Sequence, residues 1–293
     1  MRLGVDLGGT KIAGVVLDDA GAALAQARVA TPQGDYAATL EAIAQLVEQL
    51  EARVKTRLPE LGIGTPGTWD AALGELRGCN STCLNGRAFK DDLQGLLQRP
   101  VQIANDANCL ALSESEDGAC AGLDTVFAVI LGTGVGGGLV VHGKHWEGLH
   151  GAAGEWGHCP LPNPREEQVC WCGGRNCIES HLSGPALARR AGTTSVEALV
   201  AAIDAGDAAA VQVMDAWVDD LARALSLIIN VIDPQAIVFG GGVSRVPGLL
   251  ARLREALPPY VFSPRLDTLL RLSVHGDASG VRGAARLCSA SPT

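Results

Sequence analysis

Residues 3–21 read "LGVDLGGTKIAGVVLDDAG", and residues 127–144 read "FAVILGTGVGGGLVVHGK". Both run through an apolar β-branched stretch, a glycine–threonine turn, a second apolar stretch and a closing turn. Stretches this short and this rich in Val, Ile and Leu suit strands of a covered sheet. One glycine-rich hairpin repeated far along the chain predicts two related lobes facing each other across a cleft.

The sequence around the hairpins fits that expectation. "DYAATLEAIAQLVEQLEARV" (35–54) places Ala37, Leu40, Ile43, Leu46, Val47, Leu50 and Val54 at helical spacing. "LGIGTPGTWD" (61–70) reads as a strand ended by Pro66 and Gly67, and "VQIANDANCLALSE" (101–114) as a strand, a break and a helix. A long helix is predicted over 207–230, a strand over 236–242 and a helix from near Ser244. "HGDASGVRGAARL" (275–287) predicts a glycine turn and a short closing helix. This alternation defines an α/β fold. The 293 residues favour two lobes, because single cores stop growing near roughly 250–300 residues. The expected division is 1–115, rejoined by 275–293, and 116–274, which carries a loop at 158–177.

A formal net charge of −9 and no basic block exclude a nucleic-acid or anionic-membrane surface. No apolar run approaches the ~18 residues of a membrane span. A strand-like opening stands where a signal peptide would need its apolar run, so a cytoplasmic location is expected. The nine cysteines are then reduced thiols.

Three glycine turns stand at predicted strand ends. In "DLGGTK" (6–11), Gly8 and Gly9 let backbone N–H groups approach a phosphate, Thr10 adds a hydroxyl and Lys11 a charge. Asp6 is placed to hold Mg²⁺ through water. "GTGVGGG" supplies Gly132, Thr133 and Gly134, and "FGGGVS" supplies Gly240, Gly241 and Gly242. A nucleotide held between two lobes accounts for all three. "NDAN" sets Asp106 between amides as a proton acceptor, with Asn105 fixing neighbouring hydroxyls. Glu155 and His158 in "GEWGH", with Glu179, add carboxylate and imidazole groups suited to a polyhydroxylated ligand.

"CWCGGRNCIES" (170–180) spaces Cys170, Cys172 and Cys177 as C-x-C-x4-C around a Gly-Gly pair. Three thiolates need a fourth ligand for tetrahedral Zn²⁺, and His158 in its glycine-flanked loop is the best candidate. A closed site of this kind is structural. It would pin the loop carrying Glu155 and His158 to the one carrying Glu179.

Taken together, "DLGGTK", "NDANCLALSE", "ILGTGVGGGLVVHGK", "GAAGEWGH", "CWCGGRNCIE" and "FGGGVS" resemble the ROK family (repressors, open reading frames and kinases) of bacterial sugar kinases. The motifs stand in the family's order over nearly the whole chain. The resemblance implies the two-lobed actin-like ATPase/hexokinase (ribonuclease H-like) fold with Mg-ATP and a hexose in the cleft, and a homodimer. It implies Asp106 as catalytic base, with Asn80, Asn105, Glu155, His158 and Glu179 on the sugar. Gly8 to Lys11 and Gly132 to Gly134 would embrace the phosphates, and Gly240 to Gly242 would lie near the adenosine. The zinc ligands would be His158, Cys170, Cys172 and Cys177. Asn176 stands where the family usually has glycine, and asparagine tolerates the left-handed backbone that glycine would supply.

Within the family, "CNSTCLNGRAF" (79–89) and the closing segment look most like the fructokinase (mannokinase) branch. D-fructose, phosphorylated at its 6-hydroxyl, is therefore the expected substrate. N-acetylglucosamine kinase or glucokinase is the alternative, although no segment clearly supplies a pocket for an acetyl group. A sugar-sensing regulator of the same family would carry an N-terminal helix-turn-helix, and the phosphate hairpin already begins at residue 3.

Overall fold

The computed structural model describes residues 1–79 and 81–288. In chain order its elements are β1 (Arg2–Leu7), β2 (Lys11–Leu17), β3 (Ala23–Ala30), α1 (Tyr36–Val54), β4 (Leu61–Thr65), β5 (Thr68–Asp70), β6 (Glu75–Arg77), α2 (Phe89–Leu97), β7 (Val101–Asn105) and α3 (Asp106–Glu116). There follow β8 (Thr125–Leu131), β9 (Val135–Val141), β10 (Lys144–His145), α4 (Ile178–Leu182), α5 (Gly184–Ala191), α6 (Val196–Asp204) and α7 (Ala208–Ile232). The chain then forms β11 (Ala236–Gly240), α8 (Leu249–Ala256), β12 (Leu269–Leu272) and α9 (Ser279–Arg286).

The repeated hairpin nucleates two sheets of the same design. The first runs β3-β2-β1-β4-β7 and the second β10-β9-β8-β11-β12. In each, the hairpin strands pair antiparallel, and the next two strands join parallel to the first hairpin strand. Register aligns the functional ends: Asp6 lies level with Gly64, and Thr65 with Asn105. β1, β4 and β7 therefore finish together, as β8 and β11 do, at the edge where ligands bind open α/β sheets.

On the first sheet, α1 is capped by Asp35, whose carboxylate accepts from the Ala38 N–H. It buries Thr39, Ile43, Leu46, Val47 and Leu50. Ala37, predicted on the buried stripe, is exposed, and Thr39 is buried in its stead because its hydroxyl bonds the Asp35 carbonyl. A second core gathers α4 to α8 on the other sheet around Trp217, Phe127 and Phe239. Residues 208–232 form the expected long helix, but the predicted helix near Ser244 is one 3₁₀ turn (Val243–Arg245). Pro247 and Gly248, the latter left-handed at φ +73°, delay α8 to Leu249.

Between the sheets stand α3 and α9, packed on one another. α9 contacts β1, β4 and β2, whereas α3 also packs on β8 and β9. From Ala107 to Ser115 every residue of α3 is buried, so the segment lacks a polar face. The expected break before this helix is absent. Asn105 ends β7 and serves as the N-cap, its Oδ1 accepting from the Asn108 N–H at 2.7 Å.

Candidate active site

The first glycine turn is anchored from one side. The Gly8 N–H closes it onto the Lys11 carbonyl at 3.0 Å. The Thr31 hydroxyl donates to the Gly8 carbonyl at 2.7 Å, and the Gln33 amide to the Gly9 carbonyl at 2.6 Å. Across a trans peptide, the carbonyl and the following N–H point in opposite directions. The N–H groups of Gly9 and Thr10 therefore face away from Thr31 and Gln33, and no described residue accepts from them. That is an anion-receptive backbone turn.

Beside it stands a group of acids. Asp106 occupies the first turn of α3 with its side chain exposed to solvent, yet surrounding protein desolvates it, and that desolvation, with the negative charges of Asp6 and Glu155, pushes its carboxyl up to about 6. The Ala107 N–H acts against that rise without cancelling it. Asp6 is pushed up to about 6 by burial, opposed by Lys11. The Asn105 carbonyl oxygen is committed to its cap, which leaves the amide N–H₂ for a ligand. Glu155 accepts from the Thr68 hydroxyl at 3.0 Å, joining the 154–158 loop to β5 beside the first sheet. An acceptor with a pKa near 6 is still ionised at pH 7, and is a stronger base than an ordinary aspartate.

The cysteine motif folds into a knuckle with His158. The four ligand atoms of His158, Cys170, Cys172 and Cys177 all lie within 4.8 Å of one another. Cys172 Sγ is 3.7 Å from Cys177 Sγ, and Cys170 Sγ is 3.7 Å from His158 Nδ1. Zn–S and Zn–N bonds of about 2.3 and 2.0–2.1 Å give tetrahedral edges of about 3.8 and 3.6 Å, so the donor set fits zinc. A Cβ on Gly174 would lie 2.9 Å from Cys177 Sγ, so glycine is needed there. Asn176 adopts φ +54°, the left-handed backbone expected of it.

Glu179 follows on α4 and reaches the second glycine turn. Its Oε2 accepts from the Val135 N–H at 2.9 Å, and a Cβ on Gly134 would lie 2.6 Å from that oxygen. The Gly132 carbonyl accepts from Gly184 at the start of α5, while Thr133 is exposed. Gly241 turns left-handed at φ +84° against the Leu131 carbonyl, which sets the third turn beside the second. The fold thus brings Asp6, Lys11, Asp106 and Glu155 into one electrostatic group, and the knuckle, Glu179 and the 132–134 turn into another. No hydrogen bond among the described residues joins the 8–11 turn to the 132–134 turn. Asn80 lies outside the described residues.

Three contributors escaped the sequence reading: Thr68 on Glu155, Gln33 on Gly9, and Trp171, whose indole donates to Glu179 Oε1 at 2.5 Å. Thr and Gln are common on surfaces and Trp171 lies between two cysteines, so none carries a signal of its own; only the fold brings each to the site. A cavity of about 330 Å³ also lies against the first turn. It is lined by Gly9 and Thr10, by Thr31 and Gln33, and by Ser81 and Thr82, with Leu7 and Leu84 among its apolar walls.

Two sheets of one design, with glycine turns and acids gathered at the ends of their parallel strands, make this the actin-like ATPase/sugar kinase fold. The ROK family model matches residues 2–291, and the chain belongs to that family. It is 36% identical over 300 residues to the N-acetyl-D-glucosamine kinase of Escherichia coli O9:H4 (strain HS), covering 98% of this chain and 99% of that one. The ROK hexokinase of Thermus thermophilus superposes with a TM-score of 0.89 at 32% identity, over 98% of this chain and 97% of that one. A ROK glucokinase from Streptomyces griseus, in complex with glucose and AMPPNP, gives 0.80 at 28% identity, over 98% of each chain.

Proposed function

We propose that the protein is an ATP-dependent sugar kinase that phosphorylates a hexose at its 6-hydroxyl, with N-acetyl-D-glucosamine as the preferred sugar. The observation that carries the kinase reading is Asp106 at the head of α3, open to solvent yet crowded by Asp6 and Glu155, with its carboxyl held near 6. Asp106 takes the proton from the sugar hydroxyl as that oxygen attacks in line. Asn105, Glu155, His158 and Glu179 hold the remaining hydroxyls, and the outward N–H groups of Gly9 and Thr10 meet the phosphates. Asp6 is the residue to hold Mg²⁺, and bound Mg-ATP supplies the phosphoryl group and charge neutralisation. The Gly240–Gly242 turn is assigned to the adenosine side, and Zn²⁺ to His158, Cys170, Cys172 and Cys177.

Likeness of residues 79–89 to fructokinases ranked D-fructose first. Identity of 36% to N-acetyl-D-glucosamine kinases over almost the whole chain supports the other order. A coupled assay over N-acetylglucosamine, glucose, mannose and fructose is the test. The highest kcat/KM is expected for N-acetylglucosamine; a higher value for fructose would restore the fructokinase reading, and no turnover of any hexose would defeat the kinase reading.

A further inference from the structure

We propose that Trp171 is a positioning residue for Glu179, through which the cysteine knuckle sets sugar affinity; this rests on the sugar-kinase reading of the site. Trp171 stands between Cys170 and Cys172, so its backbone is fixed by the knuckle on both sides. The residue is 64% exposed, unusual for so large an apolar side chain, yet it is not loose. It meets the His158 imidazole edge-on, with centroids 5.2 Å apart and planes at 86°. Its Nε1–H donates to Glu179 Oε1 at 2.5 Å, a short charge-assisted bond.

Glu179 is thereby held at both oxygens: Val135 N–H on Oε2, Trp171 N–H on Oε1. An ionised carboxylate has about four lone-pair positions. Two N–H donors on different oxygens fix its plane and leave one position on each oxygen for a sugar hydroxyl. Val135 alone would leave the carboxylate free to rotate about that single bond. The indole therefore sets the orientation in which the carboxylate meets the sugar, without touching the phosphoryl group or Asp106.

The test is Trp171→Phe, which keeps an aromatic edge against His158 and removes the donor. The KM for sugar should rise about 5- to 30-fold with kcat within about threefold, the pattern of lost uniform binding. The KM for ATP and the zinc content should stay at the parent's values. An unchanged sugar KM overturns the proposal; so does a raised KM accompanied by zinc loss, which would make Trp171 a folding residue of the knuckle. A second measurement is independent of turnover. The Trp171 indole N–H resonance, identified by its absence in Trp171→Phe, should lie downfield and move upfield in Glu179→Gln. A resonance indifferent to Glu179→Gln overturns the contact itself. A parent protein inactive on every hexose would defeat the kinase reading, while the resonance shift would still establish the contact between indole and carboxylate.

Discussion

Asp106 meets two opposed demands, because the desolvation and neighbouring negative charge that strengthen it as a base also cost folding free energy. Its carboxyl, raised from 3.8 to about 6, binds more protons in the folded chain than in the unfolded one between those values. Its contribution to stability is therefore largest below pH 3.8 and is lost as pH rises through 6. Asp106→Asn should remove that cost, raising stability above pH 6 by up to about 1 kcal/mol, since solvent reaching the carboxyl screens part of the shift, while leaving it little changed near pH 3.5. The same substitution should lower kcat by ~10²–10⁴-fold with sugar affinity largely kept. Denaturant unfolding at several pH values and steady-state kinetics on one preparation check both; a variant both active and no more stable would displace Asp106 from its role. The parent's kcat/KM should fall on the acid side of about pH 6, where Asp106 and Asp6 are both protonated.

At the scale of elements, the duplicated hairpins were legible because a strand–glycine turn–strand unit is local in sequence. The knuckle was legible for the same reason: C-x-C-x4-C needs only a tight loop, and Asn176 fits the left-handed position predicted for it. What joins the elements was not legible, because close approach belongs to pairs of distant residues. Gly62 and Gly283 show this. A Cβ on Gly62 of β4 would overlap the Ala284 carbonyl of α9, and one on Gly283 of α9 would overlap the Cys109 carbonyl of α3. Read as sequence, Gly62 was a strand glycine and Gly283 belonged to the closing turn and helix; in the fold they let three backbones touch. Gly283→Ala should cost about 1–3 kcal/mol through overpacking. Gly95→Ala in α2, where a Cβ meets nothing within 4 Å, should instead stabilise by about 0.5–1 kcal/mol. Thermal melts of the two variants test the contrast, and equal effects would refute it. In the knuckle, Cys172→Ser should lose zinc and weaken sugar binding more than ATP binding, since the donor set pins the loops of Glu155 and Glu179. Elemental analysis of tag-free protein is the check, and full metal content in the variant would show that Cys172 is not a ligand.

Across the whole molecule, we propose that the lobes divide near residue 115 and that the chain returns to the first lobe after residue 275, with Glu114 as the pin at that crossing. Glu114 is completely buried near the end of α3. Its carboxylate accepts from the N–H groups of Ala119, Val274 and His275 and from the hydroxyls of Ser273 and Ser279. Next to it, Asp117 pairs with Arg282 and Arg286 of α9 and meets His275 Nε2 at 3.0 Å. Burial alone would raise the Glu114 carboxyl, but the donors from 119 and 273–275 outweigh it and hold it below 4.5. A carboxyl lowered in the folded state adds stability above its unfolded value, and that stability is lost as pH falls through the folded one. Glu114→Gln replaces an all-acceptor group with one whose amide N–H₂ must face donors, and the former charge-assisted bonds become neutral ones. The variant should lose about 2–4 kcal/mol at pH 7. The loss should shrink as pH falls below 4.5, where the parent gives up the same contribution. Because α3 carries Asp106 at its other end, loosening the pin should also lower kcat without altering zinc content. Urea unfolding at pH 7 and pH 4, beside kinetics at pH 7, decides the matter: a penalty that stays constant across that range would mean the carboxylate's charge contributes nothing to holding α3 against the returning chain.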